Sequence, residues 1–256
     1  MKRFQLIIEY DGSQYGGWQF QKNSLSVQQV VEEALATVNG SAVSLVSSGR
    51  TDAGVHALGM SAHFDTERDL PARAYREGVN RLLPEDVVVR EARPVEASFH
   101  ARFSAQGKWY RYQMHLGEVR SALNRHRCWH VRKPLDIELM QSAAAVLVGE
   151  HDFEAFRVRG CNAVTTVRRI DLLRIIPDED FLRIDVVGSG FLRYMVRRIV
   201  GTLYEVGSER RSLQSVEQMI SHPSEHSAGV TAPASGLCLM RVRYPGKDLD
   251  FWENFP

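Results

Sequence analysis

Apolar and polar positions alternate from the first residues of the chain. Phe4, Leu6, Ile8 and Tyr10 fall on one side of an extended segment, and Arg3, Gln5, Ile7 and Glu9 fall on the other. This is the period of a half-buried strand, closed by the turn pair Asp11-Gly12. Behind Ser26 and Gln29, which can form a capping box, Val27, Val30, Val31, Ala34, Leu35 and Val38 recur at helical spacing as far as the stop Asn39-Gly40. A strand over residues 42–48 leads into a polar loop, and Leu58, Met60, Ala62 and Phe64 alternate on the next strand. Pro71 opens a second helix bearing Ala74, Tyr75, Val79 and Leu82, Pro84 ends it, and a fourth strand begins at Val87. The order is β-α-β-β-α-β.

The second half repeats it. Tyr110, Tyr112, Met114 and Leu116 share one face of a strand, and a helix over 136–148 stops at Gly149. Strands over 165–176 and 181–188 are joined by the tight acidic turn Pro177-Asp178-Glu179-Asp180, as a hairpin requires. Helices over 191–206 and 212–220 lead to a last strand over 237–244. The pattern predicts an α+β protein of two ferredoxin-like units, an N-terminal one over 1–105 and a C-terminal one over 106–256.

A length of 256 residues with 44% apolar residues is ample for packed cores. The N-terminus enters its first strand without a long apolar segment or a small-residue cleavage site, so no export and no membrane span are expected. Cys128, Cys161 and Cys238 are far apart and odd in number, which argues against a disulfide framework and a thiolate zinc site and fits a reducing, cytoplasmic setting.

The formal net charge of +1 carries no global basic signal, but charge is clustered. Between His100 and Lys133 stand eight basic residues (Arg102, Lys108, Arg111, Arg120, Arg125, Arg127, Arg132 and Lys133) against one acid, Glu118. Trp109, Tyr110, Tyr112 and Trp129 lie in the same stretch and offer flat faces for unpaired bases between phosphate contacts. Core aromatics beneath a solvated charged face are the alternative; the imbalance favours RNA.

The candidate chemistry lies in the loop Ser48-Gly49-Arg50-Thr51-Asp52-Ala53-Gly54-Val55-His56-Ala57. Asp52 stands between two glycines that permit sharp bends, and Arg50, two residues earlier, can hold its carboxylate ionised. An ionised, presented carboxylate is a nucleophile or a base. On the helix over 191–206, Arg193 and Arg197 are four apart and share a side opposite Met195, Val196, Ile199, Val200 and Leu203.

This loop resembles the signature of the tRNA pseudouridine synthase I family, the TruA-type enzymes, whose catalytic loop reads Gly-Arg-Thr-Asp-Ala-Gly-Val-His. Every position is filled at 49–56. Agreement extends to Tyr10-Asp11-Gly12, Gly17-Trp18-Gln19, residues 99–105, residues 195–201 and Gly236-Leu237. The resemblance implies two halves that share a mixed, mostly antiparallel sheet around a central cleft. It makes Asp52 the catalytic carboxylate, Tyr110 the active-site tyrosine and Arg197 the partner placed beneath Asp52. Arg50 becomes the residue that helps displace or replace a flipped base, and Leu237 an apolar wall. The implied substrate is the anticodon stem-loop of tRNA, at uridines 38, 39 and 40, and the implied assembly is a homodimer. Ser189 departs from the pattern, since many relatives carry Asn two places before the phenylalanine that is Phe191 here.

Other motifs carry less. The possible ligands in His126-Arg127-Cys128-Trp129-His130 lack a fourth partner, so no metal is expected. His56 and His63 read as packing residues. Gly188-Ser189-Gly190 lacks the spacing of a dinucleotide fingerprint and the lysine of a P-loop, so no nucleotide cofactor is expected. A glycoside hydrolase needs two carboxylates flanking the bond, and only Asp52 sits in a loop built to present one. A bare RNA-recognition module would carry its aromatics on central strands in a pattern that the first unit lacks.

Overall fold

The computed structural model describes residues 1–246, and the chain divides into two units, Met1–Gln106 with the strand from Cys238 onward, and Gly107–Leu237. In the first unit β1 (Lys2–Tyr10) lies between β3 (His56–Thr66) and β4 (Val87–Val95), antiparallel to both. The far edge of β3 is shared by two strands. Short β2 (Val46–Ser47) pairs antiparallel at Ala62 and His63, and β10 (Leu237–Arg243) pairs parallel at His56 and Ala57.

Helix α1 (Val27–Asn39) begins at Ser26, whose hydroxyl accepts the Gln29 N–H at 3.2 Å, and ends at left-handed Gly40, as its sequence predicts. Two further N–H groups of its first turn find partners outside the helix: Val27 donates to the Gly17 carbonyl and Gln28 to that of Trp18. The core centres on Phe4, Phe64 and Tyr75, whose ring centroids lie 4.8 to 5.8 Å apart. Burying each such ring stabilises by roughly 2–3 kcal/mol.

In the second unit the strand order is β5-β9-β8-β7: β5 (Gly107–Leu116), β9 (Phe181–Gly188), β8 (Val167–Asp178) and β7 (Gly149–Asp152), with neighbours antiparallel. β6 (Trp129–Val131) adds to β5 in parallel. Helices α2 (Ile137–Val146), α3 (Met195–Gly207) and α4 (Leu213–Ser221) complete it. Helix α3 buries Met195, Val196, Ile199, Val200, Leu203 and Val206. Its other side is strapped by the chain after residue 228. Gly229 donates to the Thr202 hydroxyl, Val230 to the Glu205 carboxylate and Ala232 to the Arg197 carbonyl.

The α+β expectation stands, with five differences in detail. The strand over 42–48 shrinks to β2. The second helix spans residues 72–80 and is wound as a π-helix over Ala74–Gly78. Strands β6 and β7 had no periodic signal; the helix before β7 ends at Val146 with Leu147 as its cap, so Gly149, at φ 118°, opens β7 instead of ending the helix. Helix α3 starts at Met195 instead of 191, because Tyr194 takes a left-handed φ of 62° that no helix can continue through. The last strand, assigned by sequence to a C-terminal unit over 106–256, groups with the first unit through its pairing to β3. Among the described residues no helix is long and apolar enough to cross a membrane.

Candidate active site

Loop 48–55 has little regular structure of its own. Its one internal turn is closed by the Val55 N–H on the Asp52 carbonyl at 3.1 Å, with Gly54 at φ 77° inside it. Entry is fixed by the Ser48 N–H, which donates to the Ser61 carbonyl of β3 at 2.8 Å. Further anchors come from residues 10–18. The Trp18 N–H donates to the Thr51 carbonyl at 3.1 Å, the Gly54 N–H reaches the Tyr15 carbonyl at 3.3 Å, and the hydroxyls of Tyr10 and Thr51 meet at 2.8 Å. Both hydroxyls are buried, as are the rings of Tyr15 and Trp18.

Two glycines make this approach sterically feasible. A Cβ on Gly17, which stands at φ 105°, would lie 2.6 Å from the Thr51 carbonyl oxygen, and one on Gly12 would lie 2.0 Å from that of Val55. The two backbones are therefore in direct contact on both sides of Asp52. Asp52 itself is half-buried, and Arg50 projects exposed from the same loop. The loop thus presents a carboxylate and a free-standing guanidinium on a firmly held backbone.

His56, at the end of the loop, is spent on packing: its Nδ1 accepts the Gly12 N–H at 3.1 Å beside the Asp11 carboxylate. His63 is buried on β3, and its Nδ1 accepts the Ala101 N–H at 3.1 Å. Burial, with the nearby cations of Arg3 and His100, pushes its pKa down to about 4, so it is neutral near pH 7.

Tyr110, Arg197 and Leu237 belong to the second unit. Tyr110 is buried on β5 with the edge of Phe191 against its ring, centroids 5.4 Å apart at 87°. Arg197 sits in the first turn of α3. Its Nε donates to the Ala232 carbonyl at 2.7 Å, and its guanidinium lies 5.1 Å from the ring centre of Tyr194. Exposed Arg193 covers the same ring at 4.8 Å, so the two arginines predicted to share one side of the helix both meet Tyr194. Leu237 is buried where β10 begins, one residue after Gly236, which packs against the Tyr112 ring so closely that a Cβ there would lie 2.5 Å from it. Tyr112 donates to the Pro233 carbonyl at 2.8 Å, and burial raises its pKa so that it remains a phenol.

Sequence reasoning named Tyr10-Asp11-Gly12 and Gly17-Trp18-Gln19 as motifs without giving them a task, and it missed Phe191 as the neighbour of Tyr110. The signal for the first was the pair of glycines in a stretch otherwise rich in bulky aromatics. The Cys128 thiol donates to the Asn124 carbonyl, and His130 bonds the Gly117 carbonyl at 2.8 Å. Among the described residues no three His, Cys, Asp or Glu side chains are grouped to hold a metal ion.

Residues 6–104 and 143–245 match the family model described as tRNA pseudouridine synthase. The matched segments take in Arg50, Asp52, Arg197 and Leu237, and they leave out 105–142, where Tyr110 and most of the basic stretch stand. The chain is 56% identical to tRNA pseudouridine synthase A of Syntrophotalea carbinolica over 248 residues, covering 97% of this chain and 98% of that one. It is 52% identical to the protein of that name from Geobacter sulfurreducens over 244 residues, covering 95% of this chain and all of the other. The protein of that name from Acetivibrio thermocellus is 45% identical over 244 residues, with the same coverage.

Proposed function

The chain belongs to the tRNA pseudouridine synthase family, and on that premise we propose that it isomerises uridine to pseudouridine in the anticodon stem-loop of tRNA, at positions 38, 39 and 40. What carries this reading is the half-buried carboxylate of Asp52, presented between two bends of a loop whose neighbours are bonded on both sides of it.

The reaction conserves every atom. The bond from ribose to uracil nitrogen breaks, the base turns, and a bond to ring carbon forms; that carbon loses a proton and the nitrogen gains one. Neither water nor an oxidant is consumed. A target inside a stem must first leave its stack, at a cost of a few kcal/mol. Asp52 then attacks the ribose, attacks the base or removes a ribose proton; all three are within the chemistry of a carboxylate.

Tyr110 stacks on the target base with its hydroxyl near a proton that moves. Arg50, exposed beside Asp52, fills the space the flipped base leaves. Arg197 is the charge partner of the catalytic carboxylate, and Leu237 walls the base. The basic stretch over 102–133, apart from Arg111, which is taken up by Asp185, holds phosphates. The protein works in the cytoplasm as a homodimer.

Mapping pseudouridine in tRNA from cells lacking this protein tests the reading. Loss of pseudouridine at 38, 39 and 40, restored by the protein and not by its Asp52→Asn form, is the expected result. An unchanged map overturns it.

A further inference from the structure

We infer that Tyr10 is a positioning residue for the reaction, acting through the hydroxyl of Thr51 to fix the carboxylate of Asp52, one residue further on. The inference rests on the assignment of Asp52 as the catalytic carboxylate.

Loop 48–55 has little to hold it from within. Only one backbone bond closes within its turn, and a stretch with so few bonds of its own samples a range of positions unless its surroundings hold it. Tyr10 lies 41 residues before Thr51 in sequence, on a segment that is itself secured. Tyr10 ends β1, which is paired on both sides, with β3 and β4. Trp18 and Gly17 accept the first N–H groups of α1, and the Tyr15 hydroxyl donates to Asp86 at 2.6 Å. The loop thereby inherits its place from a strand and a helix.

Three of its anchors are backbone bonds, from Ser48 N–H to Ser61, from Trp18 N–H to Thr51 and from Gly54 N–H to Tyr15. They fix the path of the chain. Another is the pair of buried hydroxyls at 2.8 Å, which fixes the side chain of Thr51, the residue before Asp52. A hydroxyl pair that only satisfied the core could lie anywhere. This one joins the end of β1 to the residue before the reacting group. Tyr10 meets Trp18 with ring centroids 6.0 Å apart, so its own ring is held independently of the hydroxyl. Removing the oxygen therefore leaves the ring in place and frees the Thr51 side chain from it.

A displacement of about an ångström at a reacting group can cost on the order of a hundredfold in rate. The test uses the full-length protein, a tRNA transcript and single-turnover conditions, with tRNA affinity and thermal midpoint measured in parallel. Tyr10→Phe and Thr51→Val are each expected to slow pseudouridine formation by roughly ten- to a hundredfold while tRNA affinity stays as in the parent. The double variant is expected to be no slower than the slower single one, because both remove the same bond. Thr51→Ser, which keeps the oxygen, recovers most of what Thr51→Val loses.

A full rate in Tyr10→Phe, losses that multiply in the double variant, or a rate loss explained entirely by a smaller folded fraction overturns the inference. If Tyr10→Phe does not fold, Thr51→Val and Thr51→Ser pose the same question from the other oxygen. Asp52→Asn is measured alongside. Turnover by that variant removes the catalytic assignment itself, whereas an inert Asp52→Asn beside a fully active Tyr10→Phe removes only the positioning role.

Discussion

The wholly buried carboxylate of Asp185 on β9 is gripped in a fork by Arg111 of β5, whose Nε and Nη2 donate to its two oxygens at 2.9 and 3.0 Å. The Trp109 indole N–H adds a third bond at 2.8 Å. A buried charge with three donors is satisfied; the same donors without it are not. Replacing Asp185 by Ala leaves a mostly buried guanidinium without its counter-charge, and a loss of roughly 3–5 kcal/mol is expected, read as a large fall in the urea midpoint. Arg111 and Asp185 replaced together should cost less than the sum of the single changes.

Asp52→Asn is expected to keep the fold and tRNA affinity and to abolish turnover. The amide matches the carboxylate in shape and can neither attack nor accept a proton in its place. Thermal midpoint, tRNA binding and product formation on one preparation decide it, and measurable turnover counts against the role.

For Tyr110, change to Phe preserves the ring packed on Phe191 and deletes only the hydroxyl. Product formation is expected to fall with tRNA affinity little changed. Equal loss of both would mark a residue that only supports the strand.

Strands and helices with a local signature were legible in the sequence. β1 and β3 alternate cleanly, an acidic turn marks the start of β9, and α1 and α4 each begin at a serine whose hydroxyl caps the third following N–H. Where the deciding contact is distant or the residue is unsuited to its backbone, the sequence was silent. Nothing near Leu237 reveals that Cys238 pairs with His56, and nothing about Tyr194 announces a left-handed residue at the head of α3. The loop around Asp52 was legible as a loop because its glycines and polar residues are consecutive. The task of Tyr10 was not, because alternation alone makes it one more apolar tooth of β1.

Acid should weaken the first unit through His63. Its pKa in the unfolded chain is about 6.5 and in the folded one about 4, so the unfolded chain binds the proton first. Stability is then full above about pH 6.5 and is lost as pH falls toward 4. Urea midpoints at pH 7 and pH 5 should differ more in the parent than in His63→Gln, which cannot take up a proton.

Arg125 and Arg127 are exposed, and the Arg125 guanidinium donates to the Ala122 carbonyl at 3.0 Å. If they hold phosphates, tRNA affinity falls with salt at a slope of roughly −0.7 to −0.9 per contact, and removing both shrinks the slope by roughly two units at most. Conversion at saturating tRNA should stay near normal. An unchanged slope would move the RNA path to Arg157, Arg159, Arg168 and Arg169.

The parallel pairing of β10 with β3 has a consequence for synthesis on the ribosome. Residues 107–237 form the whole of the second unit and are made between β4 and β10 of the first. At about 5–20 residues per second, on the order of ten to thirty seconds pass between the emergence of β3 and that of its partner strand. During that interval the edge of β3 at His56 and Ala57, directly after the Asp52 loop, lacks its β10 neighbour and is open to wrong pairing or to a chaperone. The older half of the molecule is thus finished last, and a ribosome stalled before residue 238 would carry it with that seam unsealed.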